Sequence, residues 1–266
     1  MLIDTHAHLM FEQFEGKVPE VLQRAKAAGV ERIINVGCSV KACKDGFAQV
    51  QEFNFKHGVE LYSTLGLHPY DASEVSEDLL KQWEKMLLVS NDSNASRRGI
   101  VAIGEIGLDY FKAPVPHDVQ KAAFVRQLEF ARYAGLPVIV HNREADEDCF
   151  EILEGFDDLK IVFHCYGSSL EFARRLWKKG YYTSFTGIIT YPKTEELQEV
   201  VKECPLGRFM IETDCPYLAP QKYRGSVNEP AYVSEVAEKV AELKGLTIED
   251  AGKISSENAK IFYGLE

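Results

Sequence analysis

The chain has 266 residues, 45% hydrophobic and 27% charged, with 30 basic against 41 acidic side chains for a net charge of −11. These are the proportions of an ordinary globular protein, and no apolar run approaches the roughly 18 residues that a membrane span requires. The acidic balance argues against broad adhesion to nucleic acid, while leaving open a local site where metal ions supply the positive charge.

The first predicted element is the apolar start that runs into "LIDTHAH". Successive side chains of a strand point to opposite faces, so His6 and His8 project one way and Thr5 and Ala7 the other. Short apolar runs rich in β-branched residues then recur along the chain: "RIINVGC", "LYSTLGLHP", "IVAIGEIGLD", "PVIVHN", "KIVFHCY", "YYTSFTG" and "FMIETDCP". Between them lie segments of helical spacing such as "VPEVLQRAKAAGV", "HDVQKAAFVRQLEFARYAG" and "SSLEFARRLWKKG", several closed by a glycine suited to a helix C-terminus. Alternating units of this kind form either an open doubly wound sheet or a closed barrel. Eight units in 266 residues favour the barrel, which commonly runs to about 250 residues as one domain. The expectation is an α/β protein, a distorted TIM barrel, in one domain over residues 1–266.

The six cysteines, Cys38, Cys43, Cys149, Cys165, Cys204 and Cys215, are scattered without a CxxC pair, which reads as reduced packing thiols in a cytoplasmic protein. With a metal-like motif starting at the third residue, no cleavable leader is expected.

Polar residues sit at the C-terminal end of nearly every predicted strand: His6 and His8, His68, Glu105, His141, His164 and Asp214. A barrel gathers all its strand ends at one mouth, whereas an open sheet would leave the outer strands far from any shared site. The alternative is a set of separately satisfied polar side chains, with Glu105 as a capping or surface-paired acid. Imidazole nitrogen and carboxylate oxygen without thiolate suit Zn, Mn or, with waters, Mg. Six ligands exceed what one catalytic ion with an open position takes, so two ions sharing a carboxylate fit better. Gly104 and Gly107 flank Glu105 and are expected to leave room beside it for ions and substrate.

The set "DTHAH", "GLHPY", "GEIGLDY", "VIVHNR", "FHCY" and "IETDCPYLAP", followed by "RGSVNEP", resembles the TatD family of metal-dependent hydrolases in the amidohydrolase-like superfamily, from Ile3 to the C-terminal "SSENAKIFYG". The resemblance implies a distorted TIM barrel with two divalent ions and a magnesium-dependent deoxyribonuclease activity, often 3′ to 5′. It implies that His6, His8 and Asp214 bind the first ion, that His141 and His164 bind the second, and that Glu105 bridges them. The chain departs from the family pattern at Tyr70, where histidine is frequent, and at Ser226 and Val227, which replace two usual cations, while Arg224 and Asn228 remain.

On this reading Asp214 is the general base, and His68, Arg143 and Arg224, with Lys222, are candidates for phosphate contact. For Arg143 the alternative is a surface salt bridge. Glu212 orients water or ligands, or else is a buried partner in an ion pair. Cys215 is a packing thiol. The expected partner is DNA or another phosphodiester, with no membrane, and the expected state is a monomer. The alternatives are a hydrolase of the same architecture acting on a small ester, amide or aminoacyl substrate, since fold does not select the bond, and a silent metal-binding scaffold.

Overall fold

The computed structural model describes residues 1–90 and 99–265. Strands β1 (Leu2–Ala7), β2 (Val30–Asn35), β3 (Glu60–Leu65), β4 (Ile100–Asp109), β5 (Val138–Arg143), β6 (Ile161–Phe163), β7 (Tyr182–Phe185) and β8 (Phe209–Ile211) form one sheet in sequential order, every pair parallel. Helices α1 (Val18–Ala27), α2 (Val40–Phe53), α3 (Glu77–Ser90), α4 (His117–Ala134), α5 (Asp146–Glu154), α6 (Leu170–Lys178), α7 (Glu195–Glu203) and α8 (Val233–Lys244) follow the strands in turn, and α9 (Ile248–Tyr263) ends the chain. Among the described residues no helix is long and apolar enough to cross a membrane.

Both faces of the sheet are covered, and that is why the strands read as continuous apolar runs and not as an alternation. One large cluster joins the outer strand faces to the helices. A second takes side chains from every strand, among them Ile3, Ile34, Tyr62, Val101, Ile139, Val162, Tyr182 and Met210, and from α9 alone of the helices. This second cluster is the core of the barrel itself. The long helix α4 stops where Gly135 turns left-handed at φ 66°, as its sequence leads one to expect.

The barrel closes at a seam between β1 and β8. Low on the seam, side chains replace the backbone ladder: Thr5 Oγ1 donates to the Ile211 carbonyl at 3.0 Å, the Ile211 N–H donates to Ser255 Oγ of α9 at 3.0 Å, and the Thr213 N–H donates to Asp4 at 2.9 Å. Higher up, backbone pairing resumes. The Asp214 N–H donates to the His6 carbonyl and the His8 N–H to the Cys215 carbonyl, both at 2.9 Å. The seam is therefore knitted by the same residues whose side chains face the mouth.

Strands β6, β7 and β8 end earlier than their apolar runs suggest. "HCY", "TG" and "ETDCP" lie beyond the strands, because the chain bends into the mouth, with Cys165 and Asp214 at φ 44° and 55°.

Candidate metal centre

His6 and His8 point the same way, as their spacing requires, and their Nε2 atoms lie 3.2 Å apart. Nδ1 of His8 is 2.8 Å from the Val36 carbonyl, which can only accept. That nitrogen therefore carries a proton, which leaves Nε2, turned towards His6, as the atom through which the neutral ring can bind a cation.

Glu105, from the middle of β4, divides its two oxygens between two groups. Oε2 lies 3.5 Å from His6 Nε2 and 3.9 Å from His8 Nε2. Oε1 lies 2.8 Å from both His141 Nδ1 and His164 Nε2, and 3.6 Å from His68 Nε2. Asp214 completes the first group, with Oδ1 3.4 Å from His8 Nε2 and 3.7 Å from His6 Nε2. Six side chains from five strands or the turns that directly follow them thus surround one point, with His68, just after a sixth strand, beside them.

The centre is buried: His6 has no exposed surface, and Glu105 has 4%. Burial works against ionisation of Glu105, but the His164 and His68 rings and the bonds to His141 and His164 outweigh it and hold the carboxyl well below the usual range. Burial likewise opposes a charged His164, yet Glu105 and Glu212 lift its pKa well above the ordinary imidazole value. His141 is raised against burial by Asp109 and Glu105, whereas burial and the neighbouring His164 lower His6.

The donor set fits divalent cations. Among the described residues, imidazole nitrogens and carboxylate oxygens converge with no lysine or arginine between them, the Nε2 atoms of His6 and His8 face each other, and the buried Nδ1 of His6 has no hydrogen-bond partner. Facing lone pairs and buried carboxylates repel one another unless protons or cations lie between them.

A match to the family described as TatD related DNase spans residues 3–264. The chain belongs to the TatD family. It is 43% identical over 265 residues to the uncharacterized metal-dependent hydrolase YabD of Bacillus subtilis, covering 99% of both chains. It is 33% identical over 270 residues to the uncharacterized metal-dependent hydrolase YcfH of Escherichia coli, covering 98% of this chain and 96% of the other. The crystal structure of the TatD homologue YjjV of Escherichia coli superposes with a TM-score of 0.89 at 30% identity, covering 100% of this chain and 98% of that one.

In this TatD chain the ligand candidates are themselves held. Glu212 Oε1 lies 3.3 Å from His164 Nδ1 and accepts from the Cys165 N–H at 2.8 Å, while Oε2 accepts from Ser184. It lies behind the imidazole and aims Nε2 at Glu105. Asp109, which the sequence reading passed over, does the same for His141, its Oδ2 3.3 Å from Nε2. Burial pushes the Asp109 pKa up, but the bond to His141 prevails and brings it down to about 2. Its signal in the sequence was its even spacing from Glu105 on one strand.

Gly104 and Gly107 have a different purpose from the one expected. A Cβ on Gly107 would lie 2.0 Å from the His141 carbonyl oxygen, and one on Gly104 would lie 2.6 Å from the Ile139 side chain. The glycines let β4 approach β5 closely and do not open space for a ligand.

The centre opens into a cleft of about 1420 Å³ whose lining includes His68, Tyr70, Arg143 and Tyr217. Burial, first among its causes, brings the His68 pKa down to about 4, so at neutral pH His68 offers a hydrogen bond or a lone pair and no charge. Strand β5 persists to Arg143, which is exposed, with its guanidinium 4.4 Å over the Phe111 ring. Arg224 lies 4.1 Å over Tyr191, and Lys222 pairs with Glu235 at 2.8 Å. Neither of these cations lines the cleft. Asn228 is buried and donates to the Thr213 and Tyr217 carbonyls, fixing the loop after Asp214. Cys215 is fully buried, and burial pushes its thiol well up, the state of a packing residue and not a nucleophile.

Proposed function

We propose that the chain is a divalent-metal-dependent phosphodiesterase acting on DNA, with one ion held by His6, His8 and Asp214, a second by His141 and His164, and Glu105 bridging the two. The observation that supports this most strongly is the division of Glu105, one oxygen towards each histidine pair. The chemistry that two divalent ions, Mg, Mn or Zn, would supply there is acidification of a water and neutralisation of charge on the phosphoryl oxygens.

The protein's own groups do the rest. Burial raises the pKa of Asp214, but His8 and His6 outweigh it and keep the carboxylate ionised, so it is free to accept the proton of an acidified water. Glu212 and Asp109 hold the imidazoles in one tautomer while charge moves in front of them. Arg143, the one candidate cation that lines the cleft, is placed to contact a phosphate, with Arg224 further out. The reading carries with it a single domain acting as a cytoplasmic monomer.

One observation favours a second reading, a small ester, amide or aminoacyl substrate. Glu144, Asp146, Glu147 and Asp148 also line the cleft, and an acidic rim repels a long polyanion. Incubating metal-reconstituted protein with end-labelled single-stranded DNA, beside a panel of phosphate and carboxylate esters, separates the two. DNA cleavage faster than any small ester supports the first reading; brisk ester hydrolysis with intact DNA replaces it with the second.

A further inference from the structure

Folding does not require large exposed aromatic rings beside a cleft, yet Tyr70 and Tyr217, which line it, are 41% and 51% exposed, and Phe111, under the cleft-lining Arg143, is 49% exposed. They come from loops after three different strands. On the arc formed by β1 and β8, Phe11 stacks on His8 with ring centroids 4.7 Å apart and planes 5° apart, and meets Tyr217 edge-on at 6.1 Å. Across the barrel, on the arc of β3 to β5, Tyr70 packs edge-on against His68 at 4.7 Å, and the Arg143 guanidinium carbon lies 4.4 Å over the Phe111 ring. Phe11 is thus held by the candidate ligand His8 and Tyr70 by the neighbouring His68, while Tyr70, Phe111 and Tyr217 stay exposed.

We propose that these two arcs form a nucleobase-stacking subsite, Tyr217 with Phe11 receiving the base on one side of the scissile bond, and Phe111 with Arg143 and Tyr70 the base on the other. The inference rests on the phosphodiester reading above. Aromatic faces and guanidinium planes bind bases of any sequence through their π-faces. A cleft whose lining, among the described residues, carries one candidate phosphate-binding cation and seven carboxylates gains from the base what it forgoes from the backbone.

The test uses short single strands in which one abasic nucleotide is walked through the last positions, with metal-saturated protein and kcat/KM as the readout. Loss of the critical base is expected to lower wild-type kcat/KM by about 10-fold or more. Tyr217→Ala is expected to lose a similar factor on the intact strand and little on the abasic one, and Tyr217→Phe to restore it. Comparing two substrates within one variant removes any loss of folded protein from the ratio. Equal wild-type rates on intact and abasic strands, or equal losses in Tyr217→Ala on both, overturn the subsite and leave the phosphodiesterase reading standing. Failure to cleave either strand overturns both.

Discussion

Asp109 Oδ2 lies 3.3 Å from Nε2 of His141, while Nδ1 of the same ring lies 2.8 Å from Glu105. One carboxylate thus fixes the ring that the other shares. Asp109→Asn keeps the shape but loses the charge that holds the imidazole in its tautomer, and is expected to weaken divalent-ion binding by about 10- to 100-fold. Calorimetric titration of metal-stripped protein measures this directly, with circular dichroism confirming that the fold is unchanged.

Asp214 has two proposed tasks, ligand and base, and they separate experimentally. In Asp214→Asn an amide oxygen remains to face the ion but cannot take a proton. Turnover is expected to fall by about 10²- to 10⁴-fold at metal concentrations that restore full occupancy. Activity that returns in proportion to occupancy would leave Asp214 as a ligand only.

The barrel was legible because parallel strands buried on both faces carry an unmistakable apolar run, and because the spacing of His6 and His8 survives directly as a 3.2 Å approach. The ligand candidates were legible as polar residues set into or just after these apolar runs, Glu105 in the middle of β4 and the others towards the strand ends. Asp109 was missed because it stands four residues beyond Glu105 on a strand whose every residue is buried, so its even spacing was not set off by any alternation of polar and apolar residues. The seam could not be read at all. Ser255 and Thr5 serve it through bonds to Ile211 across 44 and 206 residues of sequence, and no local pattern announces such a partner. The aromatic rim was equally hidden, since Phe11, Tyr70, Phe111 and Tyr217 belong to separate loops.

Metal binding and pH are linked through His164 and His141. In the metal-free protein burial opposes their charged forms, but the adjoining carboxylates raise both pKa values. Their contribution to stability is therefore full below the unfolded value near 6.5 and is lost as pH rises through the folded pKa. Cations must displace those protons, so affinity rises over the same range. The gain in Tm on adding divalent metal is expected to be larger at pH 8.5 than at pH 6. A gain that is independent of pH would show that these rings carry no displaceable proton.

Ser255→Ala leaves the buried Ile211 N–H at the seam without its acceptor, a loss of about 1–3 kcal/mol. With α9 joined to both β1 and β8, the expected result is one cooperative thermal transition at a lower Tm, with metal stoichiometry unchanged. Two resolved transitions, or a stable half released by limited proteolysis, would show that the barrel is not a single folding unit.

The bridging carboxylate is tested most directly by counting ions in the wild type and in Glu105→Ala, after saturation with metal and removal of the excess. The wild type is expected to hold two divalent ions per chain and Glu105→Ala at most one, with turnover lost. A wild type that saturates at one ion, or a Glu105→Ala protein that keeps two ions and near-normal turnover, would contradict the shared centre.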